Sequence, residues 1–256
     1  MKAAKRIMSM GAMALVLSGL SSMAAEKERV LFFTAHPEDI VSSAGTILLM
    51  RDKFEVHVCN YTEGAQGLSP EAVTALRGKE EKVCRELGAQ LHWYNAEGGR
   101  RWVEESSCRR FANLLAELKP RAVFGHWPVD TDSDHMMSCA VLQKAVQLAK
   151  LECEFYFFER SSDSKGFPPA FYVNITSIAK EKERILHLFD AEGKADAQVE
   201  SEKRNSATNG ERLNLVDPET GFSRSQHCNA EVFASYGGHP QGPIIFAELP
   251  YLALPR

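Results

Sequence analysis

The stretch VLFFTAHPED at residues 30–39 places a short apolar run directly before a turn that carries one histidine and two carboxylates. Val30–Thr34 is rich in β-branched and aromatic residues, which predicts a buried strand. Further along the chain, short runs of this kind alternate with longer amphipathic segments, the pattern of βαβ units around a parallel sheet. We therefore expect an α/β fold with a mostly parallel sheet.

Most of the regular pattern lies between residues 30 and 158. The predicted strands are Val30–Thr34, Glu55–Tyr61, Gln90–Tyr94, Ala122–Gly125 and Glu154–Phe158, and the helices between them are Val41–Arg51, Glu71–Leu87, Glu104–Leu118 and Asp134–Leu151. The pattern then weakens to a strand at Phe171–Ile175, a charged helix near Ser177–Phe189 and a polar stretch over 191–229, typical of surface helix and long loop. No clear linker divides the chain, so we expect one domain.

The first 24 residues have the features of an export signal. Lys2, Lys5 and Arg6 precede an apolar segment, and small residues at Ser22 and Ala24 fit a cleavage site. This predicts a signal peptide over residues 1–24, a domain over 25–256 and a periplasmic or extracellular location without stable membrane insertion. An uncleaved N-terminal anchor helix is the alternative.

Net charge and cysteine spacing exclude several classes of protein. A net charge of −4 supplies no basic field, so we expect no nucleic-acid partner. The six cysteines are scattered without a CxxC pair, which argues against a zinc ribbon or a thioredoxin-like site. Export would permit disulfides, but buried free thiols are the simpler interpretation.

Two polar clusters follow predicted strands about a hundred residues apart in the chain. Ala35–Asp39 follows the first strand, and His126–His135 lies between the fourth strand and the next helix. In an open parallel sheet the carboxyl ends of the strands form the binding edge, and a crevice opens where the strand order reverses. We therefore expect the two clusters to meet.

The residues in these clusters are suited to a catalytic zinc ion, which prefers imidazole and carboxylate ligands. His36 and Asp39 are three residues apart on a tight turn, and His135 at a helix start can supply a third ligand. Glu38 can then act on an activated water as a general base. Considered separately, each cluster is also compatible with a simple turn or a helix cap.

Both clusters resemble motifs of the LmbE/PIG-L family of zinc-dependent N-deacetylases, whose usual forms are AHPDD and PxDxHxDH. The corresponding stretches here are AHPED at 35–39 and PVDTDSDH at 128–135. Further similarities are Tyr61–Gly64 with the Thr-x-Gly turn of the family, Arg77 and Glu80 with its Arg-x-x-Glu helix, and Ala230–Phe233 with its Ala-Glu-x-Phe motif.

The resemblance implies a Rossmann-like three-layer α/β fold and one zinc ion per chain, with another divalent metal as the alternative. It also implies removal of an acetyl group from an N-acetylglucosamine unit, so the expected partner is a small-molecule or glycan amino-sugar substrate. By position in the motifs, His36, Asp39 and His135 are the metal ligands and Glu38 is the general base. Arg77 falls near a position that contacts substrate in some members.

Three departures from the family pattern affect the predicted chemistry. Glu38 replaces an aspartate, Asp132 replaces a histidine expected to stabilise the oxyanion, and residues 40–44 lack the expected acidic and glycine-rich character. His126, also at the end of the fourth strand, is a candidate substitute for the missing imidazole. An alternative function is therefore a catalytically impaired metal- or carbohydrate-binding protein on the same fold. A nucleotide-binding Rossmann domain is disfavoured, since no GxGxxG follows the first strand.

Overall fold

A computed structural model of the chain describes residues 26–63, 68–96, 103–161, 163–189, 195–215, 228–236 and 244–253. The predicted export signal lies outside these residues and stays a prediction. In the described part, we find no helix with the length and hydropathy needed to span a bilayer. All six cysteines are free thiols, and five of them are buried.

One sheet of eight strands runs through the protein. The strands are β1 (Arg29–Thr34), β2 (Glu55–Thr62), β3 (Ala89–Ala96), β4 (Ala122–His126), β5 (Glu154–Phe158), β6 (Phe171–Asn174), β7 (Ala230–Ser235) and β8 (Tyr251–Ala253). The α-helices are α1 (Ala44–Met50), α2 (Pro70–Leu87), α3 (Glu105–Leu118), α4 (Ser133–Ala149), α5 (Ala179–Leu186) and α6 (Ala195–Leu215). Short 3-10 helices cover Pro37–Ser43, Thr176–Ile178, His187–Phe189 and Ile245–Glu248.

The strand order is β3-β2-β1-β4-β5-β7-β6-β8. The first five strands in this order are parallel, whereas β7, β6 and β8 join by antiparallel pairing. β1 lies between β2 and β4, so the chain reverses its direction of winding there. The carboxyl ends of β1 and β4 are therefore neighbours, and this is the crevice expected from the sequence.

Apolar side chains on both faces of the sheet pack against helices, which gives the expected three layers. Val30 and Phe32 face a core that includes residues of α1, α2 and α5. Leu31 and Phe33 face the opposite core, which includes residues of α3 and α4. Phe32 also stacks on Phe124 of the neighbouring strand at 4.3 Å between ring centroids, and this contact fixes β1 beside β4.

The strands and helices predicted up to residue 158 are all present, with ends that differ by a few residues. The largest difference is at Val41–Arg51, predicted as one helix. The chain forms a 3-10 helix over Pro37–Ser43 and becomes α-helical only at Ala44. The reason is local, because the Asp39 side chain accepts the backbone N–H of His36 at 2.8 Å and tightens this turn.

Candidate active site

The two polar clusters meet at a cavity of about 420 Å³ at the carboxyl edge of the sheet. Its described wall consists of His36, Glu38 and Asp39 after β1, residues 131–135 after β4, and Arg160 and Asp163 after β5. A larger open groove of about 970 Å³ lies at the opposite edge, along residues 26–29 and 151–154. Among the residues described, the candidate metal-ligand groups all lie at the smaller cavity. Chemistry, not size, therefore identifies the site.

The structure brings together His36, Asp39 and His135, the three ligands expected from the sequence, as a group that could hold a metal ion. Each offers one ligand atom, and these atoms lie within 4.8 Å of one another. Pro37 at the start of the 3-10 helix fixes the turn that brings His36 and Asp39 together, and His135 comes from the first turn of α4. Two imidazoles and one carboxylate fit a catalytic zinc ion, so the residues present suit this metal.

Asp39 is at the centre of the site and has polar neighbours on both carboxylate oxygens. Its Oδ1 lies 3.4 Å from Nε2 of His135 and 3.2 Å from Nε of Arg160. Its Oδ2 lies 3.4 Å from Nδ1 of His36 and 3.2 Å from Nε2 of His126. Burial opposes ionisation, but His126 and His135 outweigh it and hold the pKa of Asp39 well below its usual value. Asp39 is therefore held as a carboxylate.

The two ligand histidines are each oriented by a second carboxylate. Nδ1 of His135 lies 3.0 Å from Oδ1 of Asp130, and Nε2 of His36 lies 3.3 Å from Oδ2 of Asp134. Burial lowers the pKa of both imidazoles, but hydrogen bonds to these partners and to Asp39 raise it to about 11 for His36 and about 10 for His135. A metal ion that binds here must therefore displace protons.

Asp132 caps helix α4, as the simpler interpretation of this motif predicted. Its side chain accepts the backbone N–H of Asp134 at 2.7 Å. Asp132 also belongs, with His36 and Asp134, to a second group of potential metal ligands. Its carboxylate is thus in the wall of the cavity, but it supplies no hydrogen-bond donor there.

His126 lies behind Asp39 and not in the described wall of the cavity. It is fully buried, stacks on His135 with 4.0 Å between ring centroids, and accepts the N–H of Ala35 at 3.0 Å. Burial lowers its pKa to about 4, more than Asp39 raises it. Because Nε2 accepts from the backbone of Ala35 and the ring is fully buried, this position favours a structural role at the end of β1 over direct contact with a substrate.

Glu38 and Arg77, the predicted base and the predicted substrate contact, differ in location. Glu38 lines the cavity without belonging to either metal-ligand group, and burial and the charge of Asp39 raise its pKa. Arg77, on α2, is not part of the described cavity wall. It pairs with Glu63, and its guanidinium group lies 4.7 Å above the ring of Trp93. Its contact with substrate stays a prediction.

Arg160 is a residue of the site that sequence reasoning missed. It follows β5, is 8% exposed, and donates from Nε to Asp39 and from Nη1 to Oε1 of Glu202 on α6 at 2.9 Å. Glu202 also lies near Lys182 of α5, which pairs with Glu231 of β7 at 2.9 Å. A chain of buried charges therefore connects Asp39 to the antiparallel strands. The feature of the sequence that could have indicated Arg160 is its position as a charged residue at the carboxyl end of β5, next to β4.

Glu231 ends this chain of charges at helix α1. Its two carboxylate oxygens accept the backbone N–H groups of Gly45 and Thr46 at 2.8 and 2.7 Å. These amides lie in the first turn of α1, where a carboxylate is favoured by the helix dipole. Glu231 thereby fixes the helix that follows the His36–Asp39 turn.

Fold and site together define an α/β protein with a His/Asp metal-ligand group at the switch point of its sheet. Residues 31–146 match the family model described as PIG-L: GlcNAc-PI de-N-acetylase. Residues 31–146 thus carry a PIG-L (LmbE-like) domain, and the resemblance seen in the motifs of this range is confirmed.

Solved structures with the same fold are similar over most of the chain. GalB, the 4-carboxy-2-hydroxymuconate hydratase from Pseudomonas putida KT2440, is 18% identical, with a TM-score of 0.73 over 85% of this chain and 99% of that chain. N,N'-diacetylchitobiose deacetylase from Pyrococcus horikoshii is 17% identical, with a TM-score of 0.67 over 82% and 84%. The conserved protein TT1542 from Thermus thermophilus is 20% identical, with a TM-score of 0.64 over 84% and 99%. One fold thus carries a hydratase and a deacetylase, so the fold alone does not select the reaction.

Proposed function

We propose that the protein is a zinc-dependent hydrolase that removes an N-acetyl group from an amino-sugar-containing substrate. The observation that carries this proposal is the cavity wall on which Glu38 adjoins the ligand group of His36, Asp39 and His135. The match to a de-N-acetylase family over residues 31–146 supports the same reaction. The predicted export signal would put this reaction in the periplasm or outside the cell.

The ligand group would hold one zinc ion per chain. Bound there, zinc lowers the pKa of a water and polarises a carbonyl. The residues of the chain keep the three donors in place: Asp130 orients His135, Asp134 orients His36, and Arg160 holds Asp39.

Glu38 moves the proton in the proposed reaction. As the water oxygen bonds to the acetyl carbon, Glu38 takes a proton from the water, and it returns this proton to the amine nitrogen as the C–N bond breaks. The products are a free amine and acetic acid, which keeps the second proton of the water and releases it to solvent as it ionises to acetate. The raised pKa of Glu38 suits this role, because a carboxyl that titrates closer to neutral pH can both accept and donate the proton.

The charge of the cavity supports a substrate without phosphate or multiple carboxylates. Four carboxylates outside the ligand group, those of Glu38, Asp132, Asp134 and Asp163, line the described wall together with one arginine. An uncharged N-acetylated sugar avoids repulsion from them, whereas a carboxylated compound such as the substrate in the name of GalB does not.

The test is acetate release by the zinc-loaded protein from N-acetylglucosamine and N,N'-diacetylchitobiose, beside Glu38→Gln. We expect turnover that falls by a factor on the order of 10²–10⁴ in Glu38→Gln, with zinc content unchanged, because the variant loses only the base. Glu81→Gln, an exposed carboxylate on α2, is the matched control.

Absence of acetate release from both acetylated compounds would contradict the proposed deacetylase. The catalytically impaired binding protein is supported by one observation, the carboxylate of Asp132 that caps α4 where the family pattern has an imidazole. It predicts sugar affinity without turnover. Calorimetric titration of the same two sugars therefore separates the two functions.

A further inference from the structure

Among the described residues that line the cavity, Arg160 is the only lysine or arginine. It stands at the carboxyl end of β5, in parallel register with β4, and therefore next to the strand that leads into the second motif. Its side chain is largely buried, but it forms part of the cavity wall. A buried guanidinium in a wall of carboxylates needs an explanation.

Two of the three guanidinium nitrogens are held by carboxylates. Nε donates to Asp39 at 3.2 Å and Nη1 donates to Glu202 at 2.9 Å. Nη2 makes no hydrogen bond with any residue in the described part of the chain. Since the guanidinium group is planar and rigid, fixing two nitrogens also fixes the direction of the third.

Glu202 is itself immobilised, so it can act as a firm support for Arg160. It is 1% exposed and accepts from Oγ of Ser161 at 3.2 Å, and Nζ of Lys182 lies 3.8 Å from its second oxygen. Lys182 is anchored in turn by its 2.9 Å ion pair with Glu231. The orientation of Arg160 therefore depends on helices α5 and α6, which lie after the end of the family match.

The proposed reaction benefits from a hydrogen-bond donor to the acyl oxygen, and Arg160 can supply it. Hydrolysis of an amide places negative charge on the acyl oxygen, and a hydrogen-bond donor aimed at that oxygen accelerates the reaction. Asp132 supplies a carboxylate where the family pattern has an imidazole, and that carboxylate caps α4. His126, the other candidate, lies behind Asp39.

We propose that Arg160 is a catalytic residue that binds the acyl oxygen of the substrate through Nη2, and that Glu202 is the positioning residue that aims it. This inference rests on the proposed amide hydrolysis. As the water oxygen bonds to the carbonyl carbon, the C=O π electron pair moves onto the acyl oxygen, and Arg160 donates a hydrogen bond without losing its proton. The pair returns as the C–N bond breaks, and the acetate formed keeps the same contact.

Acetate binding tests this role without turnover. In the zinc-loaded protein, we expect Arg160→Gln to raise the Kd for acetate roughly tenfold to a hundredfold, the effect of one hydrogen bond to a charged group. Arg160→Lys keeps the positive charge but not the fork, and we expect it to recover little of the affinity. Arg184→Gln, an exposed arginine that pairs with Glu86, is the matched control.

Glu202→Gln tests the positioning role, with Glu200→Gln, an exposed residue of the same helix, as its control. We expect a severalfold rise in the Kd for acetate in Glu202→Gln alone, with zinc content unchanged. If acetate binds to zinc-loaded Arg160→Gln and Arg160→Lys as tightly as to the wild type, the proposal is wrong. Loss of zinc from both Arg160 variants also overturns it, since Arg160 would then only hold Asp39.

The same measurements separate this inference from the proposed function. If the wild type releases no acetate from any acetylated amino sugar but binds acetate in an Arg160-dependent way, the deacetylase proposal fails and the anion contact stands. If the wild type is an active deacetylase and Arg160→Gln retains its kcat, the contact is wrong and the deacetylase proposal stands. For a contact to the acyl oxygen, we expect kcat to fall by a factor on the order of 10²–10³.

Discussion

The N-terminal part of the structure (residues 29–158) and the C-terminal part (residues 159–253) contribute different components to one site. The N-terminal part is a parallel sheet that provides the ligand group His36, Asp39 and His135. The C-terminal part adds antiparallel strands and helices α5 and α6, and it provides Arg160, Lys182, Glu202 and Glu231. The candidate metal ligands and the carboxylates that orient the two histidines thus come from one part, and the buried network that reaches Asp39 comes from the other.

This division shows how one part of a fold can keep a set of metal ligands while another part changes the side chains around them. The ligand group requires only the two strand ends that the parallel topology brings together. The buried network contacts Asp39 through Arg160, at the same oxygen, Oδ1, that faces His135. Removal of a ligand side chain from the N-terminal part should therefore abolish metal binding. Removal of a buried charge from the C-terminal part should alter the stability of the protein and the orientation of Arg160.

The largest expected effect is loss of the metal on removal of a ligand from the N-terminal part. His135→Ala should leave two of the three ligands, and we expect the purified variant to retain much less than one zinc per chain after dialysis. Elemental analysis measures this directly, with His187→Ala, an exposed histidine of the C-terminal part, as the control. A variant that keeps full zinc content would exclude His135 as a ligand.

A smaller effect, on stability and not on the metal, is expected from the C-terminal part. Lys182 is 3% exposed and lies between Glu202 and Glu231, so Lys182→Met would leave Glu231 buried without its cation and Glu202 with Arg160 alone. Breaking a buried ion pair in this way costs about 3–5 kcal/mol in the free energy of unfolding. Urea unfolding measures the loss.

The control for this prediction is Lys203→Met on the neighbouring helix. Lys203 is exposed and pairs with Glu183 and Glu200 on the surface, where an ion pair contributes about 1 kcal/mol or less. If Lys182→Met and Lys203→Met unfold at the same urea concentration, the buried network does not stabilise the C-terminal part, and its proposed role in holding Arg160 loses support.

The same division separates what the sequence could predict from what it could not. The strands and helices up to residue 158 were predictable, because their apolar residues repeat with the period of a strand or a helix. The meeting of His36, Asp39 and His135 was predictable as well, since two strand ends in a known topology must meet, and their role as metal ligands stays a prediction. The roles of Glu38 and Arg77 remain predictions, although the structure places Glu38 on the cavity wall.

Helix α6 shows why the rest was missed. The helix buries Val199, Glu202, Ser206 and Asn209 on one face, so a helical period is present but three of its four members are polar. A search for hydrophobic periodicity treats such a stretch as surface, and the sequence indeed predicted surface helix and loop. Pairing of Glu202 with Arg160, about forty residues away, depends on the antiparallel strands, whose order short polar sequences do not reveal.

The smallest effect we expect comes from a polar pair of the N-terminal part that lies away from the site. Nδ1 of His57 on β2 lies 2.9 Å from Nε2 of His92 on β3. Burial, followed by the charge of His92, lowers the pKa of His57, and burial lowers the pKa of His92 against an opposing effect of Glu117. Both imidazoles are therefore neutral in the folded protein at pH values where the unfolded chain begins to take up protons.

The sign of the resulting pH dependence follows from linkage. Below the ordinary histidine pKa of 6.5 the unfolded chain binds more protons at these two positions than the folded protein does, so stability falls as the pH falls. His92→Gln keeps an amide that can bond to His57 but removes one titrating group, and we expect a shallower loss of stability between about pH 6.5 and pH 5. Urea unfolding at several pH values measures the slope, with His187→Gln as the exposed control. An unchanged slope would mean that the acid sensitivity arises elsewhere. The buried carboxylates of the C-terminal part would then be the next groups to test. In that case the two parts would also differ in their response to pH.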